Sequence, residues 1–260
     1  MKKSLETRAG ARDVSVRQKA YLHIQQLIAS GRLPAGSGIS ELNLAKELGS
    51  SRSPIREAMN QLAAEGFLEQ GVGGGMVVAR LHREDIIELY DLREALEVYS
   101  VGKIATLPPL PADKDRLQNL VDEIPKLKTE LESSSKKELN GTQMERFLAC
   151  DLGFHALLMS LTQNQRIQKI VNETRLLIRI FSLERRGHDA AQLESICQYH
   201  QRVLDAVAKQ DRETAMHALA EHIQASQREQ LNQFDHRRRE ASLLQSIPAF
   251  LDLHKLTPQL

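Results

Sequence analysis

The chain has 260 residues, 41% of them hydrophobic, enough for two ordinary domains that each bury a core. Its 35 basic and 34 acidic side chains nearly cancel, which excludes coating of nucleic acid by bulk charge and an acidic solvating tail. No stretch approaches the roughly 18–20 apolar residues that span a bilayer. The start MKKSLETRAG is basic but has no apolar run behind it, so it does not read as a secretory signal. Cys150 and Cys197 are too far apart to suggest a CxxC site, and two cysteines make no disulfide framework. A cytoplasmic protein is expected.

The near balance hides an asymmetry. Residues 1–80 hold 11 basic and 7 acidic side chains, and the remainder holds 24 and 27. Tryptophan is absent and aromatics make up 4%, while Leu, Ala, Glu, Gln and Arg are abundant, a usage that favours helices. A basic front and a mildly acidic helical body suggest two domains with separate tasks.

In chain order, Val16 to Ser30 carries Val16, Ala20, Ile24, Leu27 and Ile28 at helical spacing, with Ser15 as N-cap. Gly31 ends it, and Leu33 to Gly36 (LPAG) makes a turn. Ser40 opens a short helix bearing Leu42, Leu44, Ala45 and Leu48, closed by Gly49. Ser53 is expected to cap a third helix with Pro54 at its first position, burying Ile55, Ala58, Met59 and Leu62 and ending at Gly66. Phe67-Leu68 and Met76-Val77-Val78 then flank a glycine cluster, as a small hairpin would. Helix, helix, tight turn, helix and hairpin outline a winged helix-turn-helix over residues 1–80.

In this outline Ser51, Arg52, Ser53 and Arg56 stand at the start of the third helix, where free backbone N–H groups favour phosphate. Two arginines there can reach guanine edges in bidentate fashion. Read alone, the same run is a solvated helix start. The run from Tyr21 to Gln70, with its LPAG turn, its LAKELGSSRSPIREA core and its L-x-x-E-G-F before the wing, resembles the amino-terminal domain of the GntR superfamily of bacterial transcription regulators. In that family the wing usually carries a basic residue between two glycines. Here the matching stretch is Gly73-Gly74-Gly75, which allows close backbone approach to DNA but offers no side-chain cation. Asn43 likewise stands where relatives often have arginine.

Beyond residue 80 the periodicity predicts six helices without strands: 83–107, 112–131 with Pro125 bending it, then Thr142–Leu161, Gln165–Glu184, Ala190–Lys209 and Asp211–Phe234. The fold class is mainly α, an antiparallel helical bundle over residues 81–235 behind the winged helix. Residues 236–260 form a tail that starts with a basic run and then shows Leu243, Leu244, Ile247, Phe250 and Leu251, spaced for an additional helix.

Asp151 and His155 lie four apart on one face with Met144, Phe147, Phe154 and Leu158. His200 belongs to the stripe Leu193, Ile196, Cys197, Val203, Leu204, Val207, and His222 to the stripe Ala215, Leu219, Ile223. Three inward histidines and an inward aspartate on three helices can converge on one ion, although any single histidine on an apolar stripe is more often a core residue. His23, His82, His188, His217, His236 and His254 read as surface residues.

The runs DLREALE (Asp91 to Glu97), DLxFHxxL (Asp151 to Leu158), YHQxVLDAV and AxxAMxxHI are similar to the FCD effector-binding domain of the FadR branch of GntR regulators. That resemblance implies Asp151, His155, His200 and His222 as ligands of a divalent transition metal, zinc first, with nickel, manganese or iron as alternatives. It also implies Arg93, with Arg175 or Arg179, as contacts for a small carboxylate effector; the alternative for these arginines is a salt bridge at the surface or an interface. No HExxH and no nucleophile paired with a base is present, so no catalytic residue is assigned. The expectation is a homodimeric DNA-binding regulator, most often a repressor in this family, that meets a pseudo-palindromic operator and responds to a metal-bound carboxylate. A metal-dependent enzyme acting on a carboxylate and a regulator with a purely structural ion are the alternatives.

Overall fold

The computed structural model describes residues 15–181 and 187–246, and the chain divides into two compact units, the first taking residues up to Arg80 and the short segment from Arg179, the second the rest. His254 and most of the expected tail lie outside the described residues. Among the described residues no helix is long and apolar enough to cross a membrane.

The first unit runs α1 (Val16–Ala29), β1 (Gly38–Ile39), α2 (Glu41–Glu47), α3 (Arg52–Ala64), β2 (Leu68–Gln70) and β3 (Met76–Val78). The Ser15 side chain caps α1 by accepting from Gln18 N–H, and Ser40 caps α2 by accepting from Asn43 N–H. Ile24, Ile28, Ile55, Met59, Leu62 and Phe67 are essentially fully buried between α1, α3 and the strands. Val16 and Leu42, counted with the apolar stripes in sequence, are exposed.

Helix α3 and its cap begin two residues earlier than expected. Ser51, in extended backbone, is the N-cap, so Arg52 is the first helical residue and Ser53 and Pro54 lie inside the first turn. Proline is tolerated there because the first N–H groups of a helix have no intrahelical acceptor. Strands β2 and β3 form the expected antiparallel hairpin, and β1 adds an unexpected third strand that pairs Gly38 with Val77 in the order β1-β3-β2. The LPAG turn is welded to this sheet: Gly36 N–H donates to Val78 O at 2.7 Å, with Gly36 at φ +79.

The second unit contains α4 (Arg83–Ile104), α5 (Pro111–Glu132), α6 (Gly141–Ser160), α7 (Gln165–Phe181), α8 (Ala190–Ala208) and α9 (Arg212–Ser246). Helix α4 packs on α9, α5 on α6 and α8, and α8 on α9. Gly102 permits the α4–α9 approach, since a Cβ there would sit 2.5 Å from Met216 Sδ. One core gathers Leu117, Val121, Phe154, Leu158, Val203 and Leu219, and a second gathers Ile124, Leu127, Leu131, Phe147 and Leu193. Helix α9 runs unbroken to Ser246, so the tail from His236 first continues that helix instead of starting another. Leu92 and Tyr99 of α4 are exposed.

Leu117 is completely buried in the larger core. Replacement by alanine should lower the stability of the helical unit by about 2–5 kcal/mol, measured by urea denaturation followed by circular dichroism.

Candidate functional site

The start of α3 presents its polar residues to solvent: Ser51, Arg52, Ser53 and Arg56 are all exposed. One turn of helix separates the two arginines, and both meet the same carboxylate, Glu41 at the start of α2. Arg56 donates Nε at 3.0 Å and Nη2 at 2.9 Å, and Arg52 donates Nη2 at 3.2 Å. The hydrogen bond from Arg56 leads in holding the Glu41 pKa below the usual range, against the opposing effect of burial and with help from Arg52. These side chains line an open hollow of about 480 Å³ together with Asn60 and Gln70. The wing tip turns through Gly74 N–H to Gly71 O and Gly71 N–H to Gly75 O. Gly73 and Gly74 are exposed, and Gly74 and Gly75 have φ +79 and +86. The position where relatives place a basic residue is thus, in this chain, left-handed backbone that favours glycine.

In the helical unit, Asp151 and His155 of α6, His200 of α8 and His222 of α9 each offer one donor atom, and all four atoms lie within 4.8 Å of one another. His200 Nε2 stands 3.2 Å from His222 Nε2 and 3.5 Å from Asp151 Oδ1, and His155 Nε2 stands 3.9 Å from the same oxygen. All three histidines are buried. Phe154 stacks on the His200 ring at 4.2 Å, and Tyr199 tilts against His222 at 5.5 Å, so the cluster is walled by aromatic carbon.

Burial depresses the pKa of each histidine: His200 is lowered to about 3, His222 well below its ordinary value, and His155 downward with a further push from Arg175. The imidazoles are therefore neutral near pH 7, as ligands must be. Burial alone would raise Asp151, but the Arg175 guanidinium leads in holding its pKa far below the usual range. Its Oδ2 accepts from Arg175 Nη2 at 2.7 Å, leaving Oδ1 for the cluster. His155 Nε2 is buried with no hydrogen-bond partner among the described residues. Two nitrogens on one ion with bonds of about 2.1 Å stand roughly 3.0–3.4 Å apart, and the His200–His222 separation falls in that interval. A buried set of three neutral imidazoles and one carboxylate fits a divalent transition ion.

Arg93 and Arg175 lie neither at the surface nor at an exposed salt bridge; they are 4% and 5% exposed. Both are tied to Glu97 of α4, which sequence reasoning did not single out although it closes the DLREALE run. Glu97, fully buried, accepts from Arg93 Nε at 2.8 Å and from Arg175 Nη1 at 3.4 Å. His155 Nδ1 lies 2.6 Å from its other oxygen. Burial would raise Glu97, but Arg93, His155 and Arg175 hold its pKa well below the ordinary value. An ionised carboxylate only accepts, so Nδ1 of His155 carries the proton and Nε2 keeps its lone pair for the cluster. Arg93 also lies over the Tyr90 ring at 4.9 Å. Arg179, one turn beyond Arg175, is half-buried.

His188, expected at the surface, is buried at 3% exposure. Its ring meets Phe147 edge-on at 4.6 Å, and its backbone O accepts from Leu139 N–H. The local sequence around Gly187 is polar and gave no sign of this packing.

A winged helix with an exposed recognition-helix start, joined to a helical unit that closes a polar cluster, has the build of a bacterial DNA-binding transcription regulator. Residues 16–78 match the model of bacterial regulatory proteins of the gntR family, and residues 88–225 match the FCD domain. The chain belongs to the GntR family of regulators and carries an FCD domain. It is 30% identical over 201 residues to the HTH-type transcriptional regulator YdhC of Bacillus subtilis, covering 77% of this chain and 84% of that relative. It is 29% identical to the probable D-xylose utilization operon transcriptional repressor of Paenarthrobacter nicotinovorans, covering 76% and 81%. The solved structure of E. coli McbR/YncC shares the fold with a TM-score of 0.68 at 21% identity, over 85% of this chain and all of that one.

Glu97 pairs with Arg93 and also accepts from Arg175, which Asp151 pairs as well. Glu97→Ala should destabilise the helical unit by about 3–5 kcal/mol, because it leaves the buried Arg93 charge without its carboxylate. Thermal and urea melts compared with those of Glu97→Gln measure the loss.

Proposed function

We propose that this regulator is a homodimeric repressor. Its occupancy of a pseudo-palindromic operator is set by a small carboxylate held at a divalent ion on Asp151, His155, His200 and His222. The observation that carries the reading is the convergence of these four donors from three helices on one buried point. Zinc suits the set, and nickel, manganese and iron suit it as well. Once bound, the ion supplies fixed positive charge and coordination positions for an anionic ligand.

The chain's own charges support an anionic ligand. Asp151 and Glu97 balance Arg93 and Arg175, and the three histidines are neutral, so a divalent ion leaves the site with an excess of two positive charges. A carboxylate removes that excess, which otherwise stands in a low-dielectric interior. Glu97 orients His155, and Arg175 orients Asp151. Arg93, Arg175 and Arg179 are the candidate contacts for the ligand's carboxylate.

On the DNA side, Ser51, Arg52, Ser53 and Arg56 face the major groove, while Gly73 and Gly74 bring the wing backbone against the duplex. The operator places this work in the cytoplasm. The carboxylate changes operator occupancy only through a difference in its affinity for operator-competent and incompetent states of the dimer. Repression is supported by a relative that is itself named a repressor.

Elemental analysis of the purified protein should find about one transition-metal ion per chain, and His200→Ala should lose it. In thermal-shift assays a subset of small mono- and dicarboxylates should raise the melting temperature, and chelator should abolish that rise. Metal-free protein without any carboxylate response overturns the metal reading. A chelator effect on melting with unchanged carboxylate affinity makes the ion structural. Separately, the double variant Arg52→Ala, Arg56→Ala should lose at least a hundredfold in operator affinity at physiological salt with its fold intact, read by fluorescence anisotropy.

A further inference from the structure

The pairing of both α3 arginines with one carboxylate has a consequence for base reading. We propose that Glu41 is a positioning residue for DNA recognition, holding Arg52 and Arg56 by one edge of their guanidinium groups so that a fixed second edge faces the bases. The inference rests on the DNA-reading role given to those arginines above.

The geometry is asymmetric in a useful way. Glu41 takes the side edge of Arg56, Nε and Nη2, and leaves the end edge formed by Nη1 and the second hydrogen of Nη2. Two parallel donors on an end edge match guanine O6 and N7. Arg52 gives only Nη2 and keeps its other donors. The Glu41 side chain is 22% exposed and the arginines 59% and 57%, so the carboxylate lies beneath and the guanidinium groups point outward. Arginine is flexible, and a group already held near its reading position loses less freedom on binding.

Glu41 also limits indiscriminate attraction to phosphate. Two arginines and one glutamate present a net charge of one, where the arginines alone would present two. Binding that depends only on phosphate charge is weakened by that difference, while contacts to base edges are kept. Glu41 thus raises the ratio of specific to non-specific affinity from both sides.

The experiment selects binding sites from a random-sequence duplex library with full-length wild-type protein and with E41Q. It then measures affinity for the selected site and for a scrambled duplex across salt concentrations. Wild type is expected to enrich a motif with defined guanines. E41Q, close in size but uncharged, should flatten the preference at those positions, bind scrambled duplex more tightly and lower the specificity ratio about ten- to a hundredfold. R56K keeps the charge but loses the planar fork, and should flatten the same base positions even where E41Q fails to fold. If E41Q melts lower yet selects the same motif with the same ratio, Glu41 is only a strut between α2 and α3, and the proposal is overturned. R56K flattening other positions, or none, overturns it as well. A wild-type protein that enriches no motif overturns the DNA-reading role of α3 and this inference with it.

Discussion

The helical unit is organised around a charge placed where charge is least welcome. Glu97 is fully buried on α4, yet it remains ionised because Arg93, His155 and Arg175 surround it. Those partners come from α4, α6 and α7, so one carboxylate ties three helices through directional bonds that apolar packing cannot supply. Its removal would leave the Arg93 guanidinium buried without a carboxylate and Arg175 with Asp151 alone. From Glu97 the order passes to His155, whose Nδ1 is fixed, and through Arg175 to Asp151, whose Oδ2 is fixed. Two of the four donor groups therefore have their orientation set before any ligand is considered.

The winged helix solves a parallel problem with backbone. Its small sheet is closed by two-residue β1 and by the turn at Gly36, whose N–H bonds directly to β3. At the wing tip, two successive glycines take left-handed conformations, so compactness is obtained without side chains. The side-chain chemistry is concentrated at the α2–α3 corner, where Ser40 caps one helix, Ser51 begins the next, and Glu41 joins them through both arginines.

Much of this was legible in the sequence, for reasons that differ by element. Helices with apolar residues at three- and four-residue spacing were readable because periodicity reports the buried face. Asp151 and His155 announce themselves by i, i+4 spacing on such a face. His200 and His222 were readable because each interrupts an apolar stripe. The third strand was not legible, because two residues carry no periodicity and gain their partners only from β3. Glu97 and Glu41 were missed for a related reason. A carboxylate in a helix normally reads as solvated, and what distinguishes these two is contact with side chains beyond their own helices, which a linear pattern does not encode. His188 shows the converse, a polar residue that is buried against Phe147 and anchored by a backbone bond to Leu139. The displaced start of α3 has a local cause, since Ser51 and Ser53 are equally plausible caps and proline is tolerated at several positions of a first turn.

The balance of Asp151 and Glu97 against Arg93 and Arg175 also bears on the order of events during synthesis. Each of these charged groups meets its opposite within the unit's own helices, so the chain can bury them as it collapses, with no cation required as a folding partner. Small metal-nucleated domains behave differently, because their ligands repel or stay hydrated until the ion arrives. On the proposed reading of the cluster, collapse comes first and any metal loading afterwards. Metal supply would then govern the chain's responsiveness to the proposed ligand more than its survival.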